Sequence, residues 1–189
     1  MIDEFRVRTE ARWEGLARSQ AAIRADAEAR AIDRRWAHGG SWAASLQLFY
    51  AERFEFPPLR LRRKPPSDTE GWTEYGFDEQ QRCVLVRQHA FGQAYQDGVL
   101  VYEDGRSELL EFHWVQDWAR EPGGEEHKLV AVEQQLHDDR GRLGSWARIV
   151  RGDRYDDAAA HCRWEEYVYR PDGRAGHDPP RASGRGIRS

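Results

Sequence analysis

The sequence predicts an α+β fold, with N-terminal helices packed on a twisted antiparallel β-meander of about six to seven strands. Three observations predict it. The first 56 residues carry helical spacing and alanine-rich interiors, with no proline before Pro57. From Trp72 the apolar period changes from 3.6 to 2. Asp-, Gly- and Arg-containing turn signals then recur between alternating runs.

Residues 9–36 read as the first helix, with Thr9 or Asp3 as its cap. Trp13, Leu16, Ala17, Ile23, Ala27 and Ala31 make an incomplete apolar stripe, poor in leucine. Such a helix is weak alone and needs a sheet or a second chain to lie against, which makes it a candidate homodimer surface. Gly39-Gly40 ends it, and Ser41 can cap a second helix with Trp42, Leu46, Phe49 and Tyr50 on one face. Phe54 and Phe56 begin an alternating run broken at Pro57-Pro58. Leu59 and Leu61 then alternate with Arg60 and Arg62 up to Pro65-Pro66. Prolines on both sides make this piece an edge strand or an extended connector.

Strands are expected over 72–77, 82–90, 95–102, 107–116, 127–137, 143–151 and 162–170. Leu110, Phe112 and Trp114 share one face of their strand, with Leu109, Glu111 and His113 on the other. On the next strand Val130, Val132 and Leu136 form the apolar face, and His127, Glu133, Gln135 and His137 point the opposite way. The first helices are the natural cover for the apolar side. The loop 117–126 and the connection 152–161 are polar. The chain thus reads as a single α+β domain over 1–175, with a helical layer at 1–56 and a sheet at 72–170. A flexible Arg/Gly/Pro tail follows at 176–189.

Composition narrows the function classes. The chain has 189 residues, 33% charged and 12% aromatic, with eight Trp, so it has ring surface enough for a core despite its polarity. No apolar run is long enough for a membrane-spanning helix, and the start has acids rather than an apolar signal core, which predicts a cytoplasmic protein. Two cysteines are too few for a disulfide scaffold. Net charge is −4, and all bases except Lys64 and Lys128 are arginine. Arginine's planar fork suits carboxylate pairing, although GC-rich codon usage produces the same bias. Concentrated positive charge occurs only at Arg60–Lys64 and in the tail, so nucleic acid is an unfavoured partner.

Four turn signals carry a resemblance: Phe77–Arg82, Tyr102-Glu103-Asp104-Gly105-Arg106, Asp138-Asp139-Arg140-Gly141-Arg142, and Tyr169-Arg170-Pro171-Asp172-Gly173-Arg174. With Tyr75–Asp78, a Y-x-x-D, and the Y-R-P-D-G-R at 169–174, residues 72–175 resemble the YD-type repeats of Rhs and teneurin-like proteins. The repeats are too few for the shells that long members build. The chain is more similar to the short cytosolic immunity proteins of bacterial polymorphic toxin systems. The resemblance implies toxin neutralisation by protein binding and transfers no functional residues, because the matching positions are turn and packing positions.

The residues themselves offer two sites. Glu108, Glu111, Glu121, Glu125, Glu126, Glu133, Asp138 and Asp139 make the middle of the chain acidic. Such a surface attracts a basic toxin domain, with Trp118, Arg120, Glu125, Glu126 and Asp138 as the contacts. The alternative is a small metal-dependent or acid/base hydrolase built on Glu111, His113, His127 and Glu133, if strands 107–116 and 127–137 pair and these side chains converge. Nucleotide loops, H-E-x-x-H, C-x-x-C and nucleophile-elbow motifs are absent. Neither a cofactor nor a metal is expected, and Cys83 and Cys162 read as structural thiols.

Overall fold

The computed structural model describes residues 2–39, 46, 59–90, 93–116, 125–150, 161–169 and 175–176. Helix α1 (Ile2–Arg30) leads into a meander of β1 (Asp33–His38), β2 (Trp72–Phe77), β3 (Cys83–Ala90), β4 (Gln93–Glu103), β5 (Arg106–Gln116), β6 (Glu125–His137), β7 (Leu143–Val150) and β8 (His161–Glu166). These strands form one eight-stranded sheet in sequence order, each antiparallel to the next. β9 (Val168–Tyr169) and β10 (Ala175–Gly176) form a separate two-stranded pair. The predicted α+β class and antiparallel meander are therefore what the chain adopts, with a strand added at the front.

That added strand corrects the helix assigned to 9–36. Helix α1 begins at Ile2, which puts Thr9 in its interior, and it stops at Arg30. The Ile32 N–H bonds to the Phe77 carbonyl at 2.9 Å, and the chain then pairs along β2 from Asp33↔Phe77 to His38↔Trp72. Register with a preformed partner satisfies a whole row of backbone groups, which outweighs the modest helix preference of a few residues. Gly76 permits the approach, since a Cβ there would lie 2.5 Å from the Ala31 Cβ. The expected second helix, Phe54 and Phe56 lie outside the described residues apart from Leu46. Of the expected edge strand or connector, Leu59–Leu61 has no regular secondary structure, and Arg62 forms an isolated antiparallel bridge with Trp36.

Helix α1 crosses one face of the sheet. Its stripe residues Trp13, Leu16, Ala17, Ile23 and Ala27, with Phe5, pack on Val99, Leu110, Phe112, Leu129, Val132 and Ile149. Ion pairs border this apolar seam. The Arg12 guanidinium donates to both Glu108 oxygens at 2.9 Å, and Gln134 donates to Glu108 at 2.8 Å. Arg24 and Arg87 clasp Asp97 from opposite sides at 2.7 and 2.8 Å. Arg34 binds both Glu28 and Glu74. The arginine bias thus has a structural use: guanidinium forks tie the helix and β1 to carboxylates on the sheet.

Two hairpin turns repeat one hydrogen-bond pattern. Asp78 Oδ1 accepts from the backbone N–H groups of Gln80 and Arg82, and Oδ2 accepts from Arg82 Nε. Asp138 does the same with Arg140, Arg142 and Arg142 Nε. In each, the fourth residue has positive φ, Gln81 at 58° and Gly141 at 72°.

Candidate functional site

The sheet face away from α1 holds the site. Tyr75, Val86, Leu100, Leu109 and Ala37 form a second apolar cluster there, with Leu46 and Leu59 packed against it. Beside it, strand pairing sets Glu111, Glu133 and Arg148 together: Leu109 opposes Glu133, Glu133 opposes Arg148, and Glu111 opposes Ala131. Alternation puts these three side chains on one face of three consecutive strands.

Arg148 sits between the two carboxylates. Its Nη2 donates to Glu111 Oε2 at 2.9 Å, and its Nε lies 3.5 Å from Glu133 Oε1. The other Glu133 oxygen accepts from the Trp146 indole N–H at 3.1 Å and from the Leu46 backbone N–H at 2.9 Å. Gln135 donates to the Leu46 carbonyl, so both backbone groups of Leu46 are held by β6. Glu133 is only 1% exposed. Glu111 is also buried, and His113 Nε2 lies 4.0 Å from its Oε2, with the His113 side chain 23% exposed. Tyr95 stacks obliquely on His113, ring centroids 6.0 Å apart.

Burial pushes the Glu111 carboxyl up, Arg148 opposes that, and the nearby Glu133 carboxylate adds to it; the result is about 7. Burial and the neighbouring carboxylate thus favour the protonated form of Glu111, with His113 at the outer end of the cluster.

The structure brings Glu111, His113 and Glu133 together but not His127. A bulge between Glu111 and Phe112 shifts the register, so that Ala131 faces Glu111 while Leu129 faces Phe112. His127 then pairs with Trp114, one position out of step with the His113–Lys128 pair. No sequence signal marks that bulge, because unbroken alternation places His127 and Glu133 on one side. Arg148, Trp146 and Leu46 were not among the predicted site residues. Once the β6–β7 pairing is given, the even spacing from Trp146 to Arg148 is the signal that finds them.

Of the proposed protein contacts, Trp118 and Arg120 lie outside the described residues. Glu125 and Glu126 start β6, paired with Gln116 and Val115, while Asp138 follows the far end of that strand. The 13-residue β6 puts the two groups about 40 Å apart, so a contact using both would span the sheet. Asp138 is bound to its own turn, and Arg142 and the backbone hold its carboxyl below the usual range. Glu108, Glu111 and Glu133, counted above as acidic surface, are buried and paired with arginines, which corrects the picture of an acidic middle face.

Other chemistry is limited. Burial pushes the Cys83 thiol up to about 12, so it stays protonated at neutral pH. Among the described residues, no three His, Cys, Asp or Glu side chains are grouped to hold a metal ion, and no helix is long and apolar enough to cross a membrane. The chain matches no protein-family model, and no curated protein or solved structure matches it significantly.

Proposed function

We propose that the chain is a cytoplasmic protein-binding module that neutralises a partner by occlusion, the role implied by its resemblance to short immunity proteins. The observation that carries this reading is the enclosure of Glu133. Its oxygens meet the Leu46 N–H, the Trp146 indole and Arg148, in a position 1% exposed. A catalytic carboxylate must reach its substrate, whereas this one fastens the segment containing Leu46 to the sheet. With α1 on one face and Leu46 and Leu59 packed on the other, the rims and edges of the sheet are left for recognition. The duplicated Asp–Arg turns support the repeat reading on which the resemblance rests. The test is capture of the product of the adjacent gene, with rescue of cells expressing it. No captured partner, together with no rescue, would reject the module.

A second reading has one observation in its favour: Glu111, held near 7, lies beside the partly exposed His113. Such a pair suits general acid/base hydrolysis, where a positioned proton-transfer group contributes about 10²–10⁴-fold. Glu111→Gln and His113→Ala separate the readings. Under occlusion both variants neutralise as the wild type does; a hydrolase would lose turnover in both.

A further inference from the structure

We propose that the exposed basic strip Arg60–Lys64, lying along β1 at the edge of the sheet, docks an acidic extended polypeptide segment of the partner. The proposal rests on the protein-binding reading above and names the chemistry of the partner.

The strip differs from the arginines that tie the elements of the fold together. Arg12, Arg24, Arg34, Arg87 and Arg148 are each bound to carboxylates of the fold. Arg60, Arg62, Arg63 and Lys64 are all exposed, and among the described residues none of them has a carboxylate partner. Four bases in five residues repel one another, and that repulsion is relieved when anions approach. The strip is also held in place. Arg62 exchanges both backbone hydrogen bonds with Trp36, at 2.7 and 2.8 Å, and its guanidinium lies 4.9 Å from the centre of the Trp72 ring. His38 meets that ring edge-on, 5.4 Å away.

The backbone selects the class of partner. With the Arg62 N–H and C=O turned toward β1, alternation turns those of Leu61 away from the sheet. Among the described residues they find no hydrogen-bond partner, and Leu61 is 39% exposed. An outward amide edge beside a row of cations accepts an added strand whose side chains are acidic. Nucleic acid has no amide edge to offer, and four bases are few beside the 6–10 phosphate contacts, roughly, of a strongly salt-dependent DNA binder.

The test measures binding of a labelled peptide of alternating Glu and Thr to the full chain, against a Lys/Thr peptide and an oligothymidylate. The acidic peptide should bind and weaken with salt. R60E/R63E/K64E, which alters exposed side chains with no ion pair among the described residues, should weaken it at least tenfold. Leu61→Pro keeps every charge but removes an outward N–H, and should weaken it severalfold. Thermal melts of both variants check that they fold. Absence of peptide binding, binding unchanged in the triple variant, or tighter binding of the oligothymidylate to the same strip would each overturn the proposal. The triple variant should also fail to neutralise the partner. Neutralisation retained after peptide binding is lost would remove the strip as the partner site while leaving the module reading intact. Peptide binding with neither a captured partner nor rescue would reject the module alone.

Discussion

The two faces of the sheet bury carboxylates under opposite electrostatic conditions. Beneath α1, each acid meets guanidinium groups from other elements: Glu108 meets Arg12, Asp97 meets Arg24 and Arg87, and Glu74 meets Arg34. On the far face, Glu111 and Glu133 share Arg148. Burial pulls the Asp97 carboxyl up, but its two arginines outweigh that and hold it below the usual range. Burial pulls Glu111 up as well, and there the single shared arginine loses. The difference is one of balance: burial raises both acids, two guanidinium groups outweigh it at Asp97, and at Glu111 the neighbouring Glu133 carboxylate adds to it against one.

The largest effect expected from breaking this contrast is at Asp97, which is 0% exposed. Asp97→Ala leaves Arg24 and Arg87 facing each other over a vacated site and should cost about 3–5 kcal/mol, read by urea unfolding. Replacing an acid on the far face should act through pH instead. The raised Glu111 carboxyl contributes stability that is fully present below its ordinary value of 4.5 and is lost as pH rises through about 7. Asp97 has the opposite sign, since its contribution is present above its ordinary 3.8 and is lost as pH falls through its lowered value. Glu111→Gln should therefore raise Tm over wild type at pH 8 and leave it nearly unchanged at pH 4. The rise should be about 2–4 °C for each kcal/mol relieved. Equal shifts at both pH values would show that Glu111 does not ionise in this range.

The smallest effect concerns the two hairpin turns, which share their Asp and Arg bonds and differ at the left-handed residue. Gln81 carries a Cβ at φ 58°, whereas Gly141 takes φ 72° without one. Gly141→Ala should destabilise by about 1 kcal/mol, and Gln81→Gly should stabilise by up to about that amount. Thermal melts of the two variants should move in opposite directions. A shared direction would show that the turns are not equivalent in energy.

Much of the fold was legible because periodicity is a local property. Expected strands over 72–77 and 143–151 coincide closely with β2 and β7, and the stripe from Trp13 to Ala31 is the surface that meets the sheet. With those residues packed on its own sheet, the surface that suggested a homodimer through this helix is occupied. The site was legible in part. Glu111, His113 and Glu133 follow from alternation and the pairing of neighbouring strands, while His127 is displaced by a bulge that alternation cannot reveal. Arg148 belongs to a strand whose register could be set only after β6 and β7 met.

The sequence by itself determined the α+β class, the positions of most alternating strands and the Asp–Arg turns, because each depends on residues within a few positions of one another. Tertiary structure decided that residues 33–38 are a strand, that the central acids are internal, and that the basic strip lies along the sheet edge. Those outcomes depend on which distant groups lie opposite. An arginine and a glutamate separated by 96 positions, as Arg12 and Glu108 are, leave no periodic trace of their meeting.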